Sequence, residues 1–335
     1  MDSVTHIVLG ACIGEALLGK KIGKKALIIG AAAQSIPDVD FVASFWMKPA
    51  EELLAHRGIT HSFLFVLVLS PALGYVFQRL LKNSVPAIKF TLFFFVEMLV
   101  HLFLDAFNNY GVGWFEPFSD MRISFNTIYV ADPLITIFPL AATVALLLLR
   151  NHDPRRRKWW KLAVFATTIY LGICVFNKYY VSTQAARAVT AQKLPYKRYF
   201  TTPAPLQSVL WMVVTGDEKG YYVSYRSVFD RDQNFAFTYF PVNEDYLDTL
   251  AHHEDVAHLK KFSNGFYTVE KWGDTLVFND LRFGQIIGWQ DPKERFVFHY
   301  FIQHPTANDL VVQRGRFAKW DWRVLRLFIK RTLGN

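Results

Sequence analysis

Four long apolar runs, at residues 63–81, 88–107, 133–149 and 159–180, constrain this chain more than any other feature. A helix needs about 20 mostly apolar residues to cross the hydrocarbon core of a bilayer. Within lipid every backbone N–H and C=O must find a partner inside its own segment, so each run is predicted to be helical. Two shorter runs rich in Ala and Gly precede them, at 6–19 and 26–36. Their small side chains let helices approach closely. Residues 1–181 therefore read as a polytopic α-helical membrane domain.

The basic residues sort by loop. Lys20, Lys21, Lys24 and Lys25 lie between the two short runs, and Arg79, Lys82 and Lys89 between the next pair. Arg150, Arg155, Arg156, Arg157, Lys158 and Lys161 lie between the last pair, whereas the alternate connections hold only Lys48, Arg57 and Arg122. Short cationic loops stay in the cytoplasm, so the alternate loops are expected outside. The formal charge of +9 is thereby read as an orientation signal. It argues against nucleic acid as a partner and for membrane lipid. Met1-Asp2 opens without a basic leader, so no cleaved signal peptide is expected. Cys12 and Cys174 fall in apolar runs and suggest no disulfide framework. Phosphate-binding loops, GxSxG elbows and paired CxxC motifs are missing, which argues against the corresponding chemistries.

This orientation gathers ionisable residues on the outer side. His6 opens the first run, Asp38-Val39-Asp40 follows the second, His56 and His61 precede the third, and His101 and Asp105 close the fourth. Ionisable groups at membrane depth are expensive, and are usually paired, ligated or functional. His101 and Asp105 stand at i and i+4 on one helix face. An imidazole and a carboxylate so placed suit zinc; the competing account is a His–Asp hydrogen bond that neutralises two buried polar groups. The segment His56-Arg57-Gly58-Ile59-Thr60-His61-Ser62 offers imidazoles for ligation or proton transfer. Arg57 brings a planar fork suited to phosphate or carboxylate, and Thr60 or Ser62 can cap the following helix. Asp38 and Asp40 stand just past a helix end stopped by Pro37, where the dipole is already negative. A bound cation would remove that conflict, and a solvated turn is the alternative. Glu97 is expected to orient a ligand or to pack between helices, and Glu15 to pair with Lys20 and Lys21.

Composition changes after residue 181, and residues 182–335 are expected to form an extracytoplasmic α+β domain. Alternating stretches at 208–215, 221–228, 267–272, 275–279 and 295–302 predict one antiparallel sheet. A helix is expected over 244–262. The basic, apolar tail at 320–333 reads as an amphipathic helix for the sheet or for lipid headgroups.

Taken in order, the motifs resemble a known pattern. Met1-Asp2 with Thr5-His6, Pro37-Asp38-Val39-Asp40, His56-Arg57 through Thr60-His61-Ser62, and His101 through Asp105 before Tyr110-Gly111 are similar to the YdjM-type family. Its members are bacterial inner-membrane proteins described as metal-dependent hydrolases. The resemblance covers about residues 1–150. It implies one or two divalent ions, zinc by preference, and ligands among His6, Asp38, Asp40, His56, His61, His101 and Asp105. The order His, Asp, His, His-x-x-x-Asp is also similar to zinc-dependent phospholipase C and related nucleases. Those enzymes carry a further His and a later His-x-x-x-Glu that the membrane part lacks; Asp132 is a partial substitute. The expected function is hydrolysis of an ester or phosphoester, with a lipid as one candidate substrate. His6, Asp38, Asp40, His61, His101 and Asp105 would serve the metal, His56 acid–base chemistry, and Arg57 an anionic group. A membrane-anchored binding or assembly protein with a structural metal is the alternative.

Overall fold

The computed structural model describes residues 1–232, 234–248, 253–308, 317 and 319–334. Contacts divide the chain into two units, Met1–Phe45 with Ala55–Ile173, and Trp46–Leu54 with Cys174–Asn335.

In the first unit α1 (Ser3–Ile22) begins at Asp2, whose carboxylate accepts the Thr5 amide at 3.0 Å. The helix extends beyond the expected run on both sides. Its 20 residues make it long enough to cross a membrane. A second helix, α2 (Lys25–Ser35), packs along it. A Cβ at Gly30 would fall 2.1 Å from the Gly10 carbonyl oxygen, and one at Gly14 2.2 Å from that of Ala26, so these backbones touch where any larger residue would collide. Pro37 then begins a 3₁₀ segment (Pro37–Phe45). The axis bends by 53° between Lys25–Ser35 and Pro37–Ala43, a pair that together is long and apolar enough for a broken span.

After α3 (Pro49–Ala55) and a 3₁₀ turn (Ile59–His61), α4 (Phe63–Leu80) is capped by Ser62, whose hydroxyl accepts the Phe65 amide at 3.1 Å. α5 (Ala87–Ala106) packs beside it through Phe77, Phe90 and Phe94. α4 and α5 are each of spanning length. α6 (Pro133–Leu148) is shorter than expected, at 16 residues, because Leu149 already turns to extended backbone. Asp132 caps it by accepting the Leu134 amide at 2.9 Å. α7 (Arg156–Ala191) is one continuous helix of 36 residues and runs past the expected end of the last span at 180.

Glu15 pairs with Arg156, not with Lys20 and Lys21: Arg156 Nε donates to Glu15 Oε1 at 2.8 Å and Nη2 to Oε2 at 2.5 Å. Both side chains are buried, and Nη1 of the same arginine donates to the Leu146 carbonyl at 2.7 Å. A guanidinium fork meets the carboxylate and the open end of α6 at once, which a lysine ammonium does not match.

The second unit is an antiparallel sheet domain. β1 (Arg198–Pro203), β2 (Leu210–Gly216), β3 (Gly220–Ser227) and β4 (Thr238–Pro241) form one meander, and β5 (Tyr267–Trp272), β6 (Thr275–Gln285) and β7 (Phe296–Phe301) a second. Two sheets thus replace the single one expected. β4 pairs with β3 over only four residues, from Gly220 to Val223, and among the described residues no β4–β5 ladder continues it. In this unit Val181 and Ala185 of α7 pack against Trp211 and Val213 of β2. The helix expected over 244–262 is a 3₁₀ turn (Glu244–Leu247) and α8 (His253–Phe262); its middle, 249–252, lies outside the described residues. The tail forms α9 (Trp322–Thr332), which buries Phe328 against Trp289 and leaves Trp322 and Ile329 exposed.

Candidate metal centre

α5 carries His101 and Asp105 one turn apart near its end, on a face that is fully buried. The bend after α2 swings Asp38 over that face. The turn carrying His61 is tied down on both sides: Gly113 donates to the Arg57 carbonyl at 2.8 Å and Phe63 to the Trp114 carbonyl at 2.9 Å. Arg57 itself takes a left-handed conformation (φ 61°), which reverses the chain into the turn.

Asp38, His61, His101 and Asp105 each present one ligand atom, and all of these atoms lie within 4.8 Å of one another. His61 Nε2 is 3.1 Å from His101 Nε2 and 3.5 Å from both Asp38 Oδ1 and Asp105 Oδ2. His101 Nε2 is 3.5 Å from Asp38 Oδ1 and 3.6 Å from Asp105 Oδ2. Donors on a tetrahedral zinc with bonds of about 2.0–2.1 Å stand about 3.3 Å apart, and these spacings match.

The proton positions support the same conclusion. His101 Nδ1 lies 2.6 Å from the Gln34 carbonyl, which only accepts, so that nitrogen carries the hydrogen. His61 Nδ1 faces Thr60 Oγ1 at 3.1 Å and the Asp40 carboxylate at 3.4 Å. Burial pushes the His61 imidazole down to about 3, so the ring is neutral. Both Nε2 atoms therefore aim lone pairs at each other. Among the described residues no hydrogen bond reaches Asp105 Oδ2 either: Arg57 Nε lies 2.9 Å away as an ion pair, off the hydrogen-bonding direction. Facing lone pairs beside an unbonded carboxylate oxygen are costly in a buried site, and a divalent cation satisfies all of them.

The remaining expected residues surround this cluster. His6 Nε2 lies 3.2 Å from Asp105 Oδ1, and its Nδ1 is 3.3 Å from Gln34 Oε1. Asp40 stands behind His61 and accepts the Arg57 amide at 2.6 Å. Such a carboxylate–histidine arrangement would fix which ring nitrogen faces a bound ion. His56, partly exposed, sits 3.3 Å from Asp40. Arg57 is turned inward: Nη1 donates to Asn108 at 2.8 Å and its guanidinium stacks 4.8 Å over Tyr110. The Met1 amino group also contacts Asp105. Asp132 caps α6 and accepts the Tyr170 hydroxyl at 2.6 Å, apart from the cluster. Glu97 is buried a turn deeper on α5 and contributes no atom to it.

Gln34 and Asn108 take part without having been expected from the sequence. A lone Gln within an Ala/Gly-rich run was the available signal for the first. Asn108 falls in a polar stretch, Asn108-Asn109-Tyr110, that carries no ligand spacing.

Comparison with known proteins agrees with this picture. The chain is 32% identical to the uncharacterized protein YfhP of Bacillus subtilis (strain 168) over 152 residues, 42% of this chain and 45% of that protein. The match thus spans less than half of YfhP. It is 31% identical to the inner membrane protein YbcI of Escherichia coli (strain K12) over 121 residues, 36% of this chain and 69% of YbcI. No solved structure matches it. The family model of the YdjM inner membrane protein matches residues 1–181, which contain the whole His/Asp cluster, and the chain belongs to that family of membrane proteins.

Proposed function

We propose that this protein is a membrane-bound metal-dependent hydrolase acting on an ester or phosphoester, with a membrane lipid as its substrate. The convergence of His61 Nε2, His101 Nε2, Asp38 and the unbonded Asp105 Oδ2 carries the reading. Asp38, His61, His101 and Asp105 hold the ion, and His6 supports Asp105 from the other oxygen. Zinc, when bound, supplies Lewis acidity and lowers the pKa of a coordinated water to about 7. Asp40 holds the His61 tautomer. His56, partly exposed and bonded to Asp40, is placed to exchange a proton with a leaving group. Arg57 balances the buried charge of Asp105, a role its inward position favours over direct capture of substrate. Exposed Val39, Phe41 and Ile59, neighbours of the ligands in sequence, offer an apolar rim suited to lipid. The reading places the centre and the second unit on the extracytoplasmic side, following the loop charges.

A structural metal in a binding or assembly protein is favoured by one observation. His61, His101 and Asp105 are fully buried, leaving Asp38, at 24% exposed, as the cluster's opening. Closed sites fill every position with protein ligands, whereas catalytic ones keep a water.

Elemental analysis of the detergent-purified protein tests the centre. Near-stoichiometric zinc or manganese is expected, and His101→Ala with Asp105→Ala should abolish it while the fold survives. Equal metal in wild type and variant would refute the assignment. Turnover of phosphoester or lipid ester substrates, lost in the same variant, then separates hydrolase from structural site.

A further inference from the structure

We propose that α9 has two working faces, one fastened to the sheet domain and the other docking on an anionic bilayer surface. The fastened face carries Phe328, whose ring centroid lies 5.2 Å from that of Trp289 and 5.0 Å from that of Trp320. Polar bonds hold the last turn: Arg331 donates to Asp230 at 2.8 Å, and the Ser227 hydroxyl to the Thr332 carbonyl at 2.6 Å. These contacts fix the rotation of the helix about its own axis. The fold therefore decides which side chains turn outward.

The outward face combines two chemistries. Trp322, Ile329 and Leu333 are 82%, 52% and 66% exposed. They stand at i, i+7 and i+11, positions that align in one stripe along a helix. Exposed Phe229 stands at the C-terminal end of the helix, where a Cβ on Gly334 would fall 2.6 Å from the Phe229 carbonyl oxygen. Arg323, Arg326 and Lys330 run beside the stripe and are exposed as well. Among the described residues no carboxylate pairs with any of these three, whereas Arg331 on the fastened side is paired with Asp230. α9 itself contains no Asp or Glu.

An aromatic and aliphatic stripe beside unpaired cations matches a bilayer interface. Trp sits at headgroup depth, aliphatic side chains enter the acyl boundary, and Arg and Lys meet lipid phosphates. Each cation near an anionic surface favours docking about fivefold. A second copy is a poorer occupant, because a self-complementary contact would set the same cations against each other. α7 runs through both units, so the unit that carries α9 stays tethered to the bilayer by its own chain.

The full chain in nanodiscs tests this, with an environment-sensitive fluorophore on Ile329→Cys; Cys12 and Cys174 are buried and leave the label single. In discs of equal phosphatidylcholine and phosphatidylglycerol, blue-shifted emission and quenching by doxyl-labelled lipid are expected. Both should be small in phosphatidylcholine alone, and should reverse in about 1 M salt, where charges are screened beyond about 3 Å. Arg323→Glu/Arg326→Glu/Lys330→Glu changes only exposed side chains and should abolish both signals without altering thermal unfolding. Should that variant fail to fold, the lipid comparison on the native charges decides alone. Equal signals in the two lipid compositions, or an unchanged signal in the triple variant, would overturn the proposal. So would a shift that appears in detergent and grows with protein concentration, which would assign the face to a second copy.

Discussion

At the scale of single residues, the cluster shows a division of labour that ligand spacing alone does not encode. Asp38 and Asp40 are two residues apart, yet one offers an oxygen to the centre and the other stands behind His61. Asp40→Asn should therefore keep the ion but bind it about 10–100-fold more weakly, because the amide no longer enforces the His61 tautomer. Competition with a chromophoric chelator reads that difference. Loss of all metal, as in a ligand variant, would put Asp40 inside the centre instead. That these residues cluster was legible in the sequence because His61, His101 and Asp105 are ionisable residues in apolar surroundings, where an unsupported charge is expensive. Which Asp faces inward was not legible. It depends on the 3₁₀ winding of Pro37–Phe45, and the alternation of Asp-Val-Asp reads equally well as a turn. The contribution of the Gln34 carbonyl was hidden for a simpler reason: a backbone acceptor leaves no trace in residue type.

At the scale of elements, the centre depends on how closely α1 and α2 approach. Gly30→Leu would drive a side chain into the Gly10 backbone, with the Cβ alone 2.1 Å from its oxygen. The helices must then separate, moving Gln34 and Asp38 away from His101 without changing any ligand. Metal content should fall to the level of the His101→Ala/Asp105→Ala variant while helix content by circular dichroism stays near wild type. Retained metal would show that the cluster is held by α5 and the His61 turn alone. Three of the four long apolar runs gave helices of spanning length; α6 falls short at 16 residues, and α1, read from a short run, reaches 20. α1 gains its first turn from the Asp2 cap, and α6 loses one residue to extended backbone at Leu149. β1 was missed because it ends in Pro203 and shows no clean alternation, and β4 because it is only four residues long. Both become strands through pairing with neighbours that their own sequence does not specify.

At the scale of the whole molecule, the orientation rests on loop charge and is directly testable. Cys12 and Cys174 are buried, so introduced thiols report on their own positions. A membrane-impermeant maleimide should label Phe118→Cys, at an 83% exposed position, in intact cells. Lys25→Cys should react only after the cells are opened. The reverse pattern would turn the centre to the cytoplasm. The contact between Gln34 and His101 joins residues 67 positions apart. It also has a bearing on biosynthesis. Translation delivers Asp38 and His61 to the membrane well before His101 and Asp105 exist, so the nascent chain has half a coordination sphere until α5 is inserted. A complete set of four can form only once α5 is inserted, before α6 and α7 follow, and chains truncated short of residue 101 should be metal-free however much zinc surrounds them.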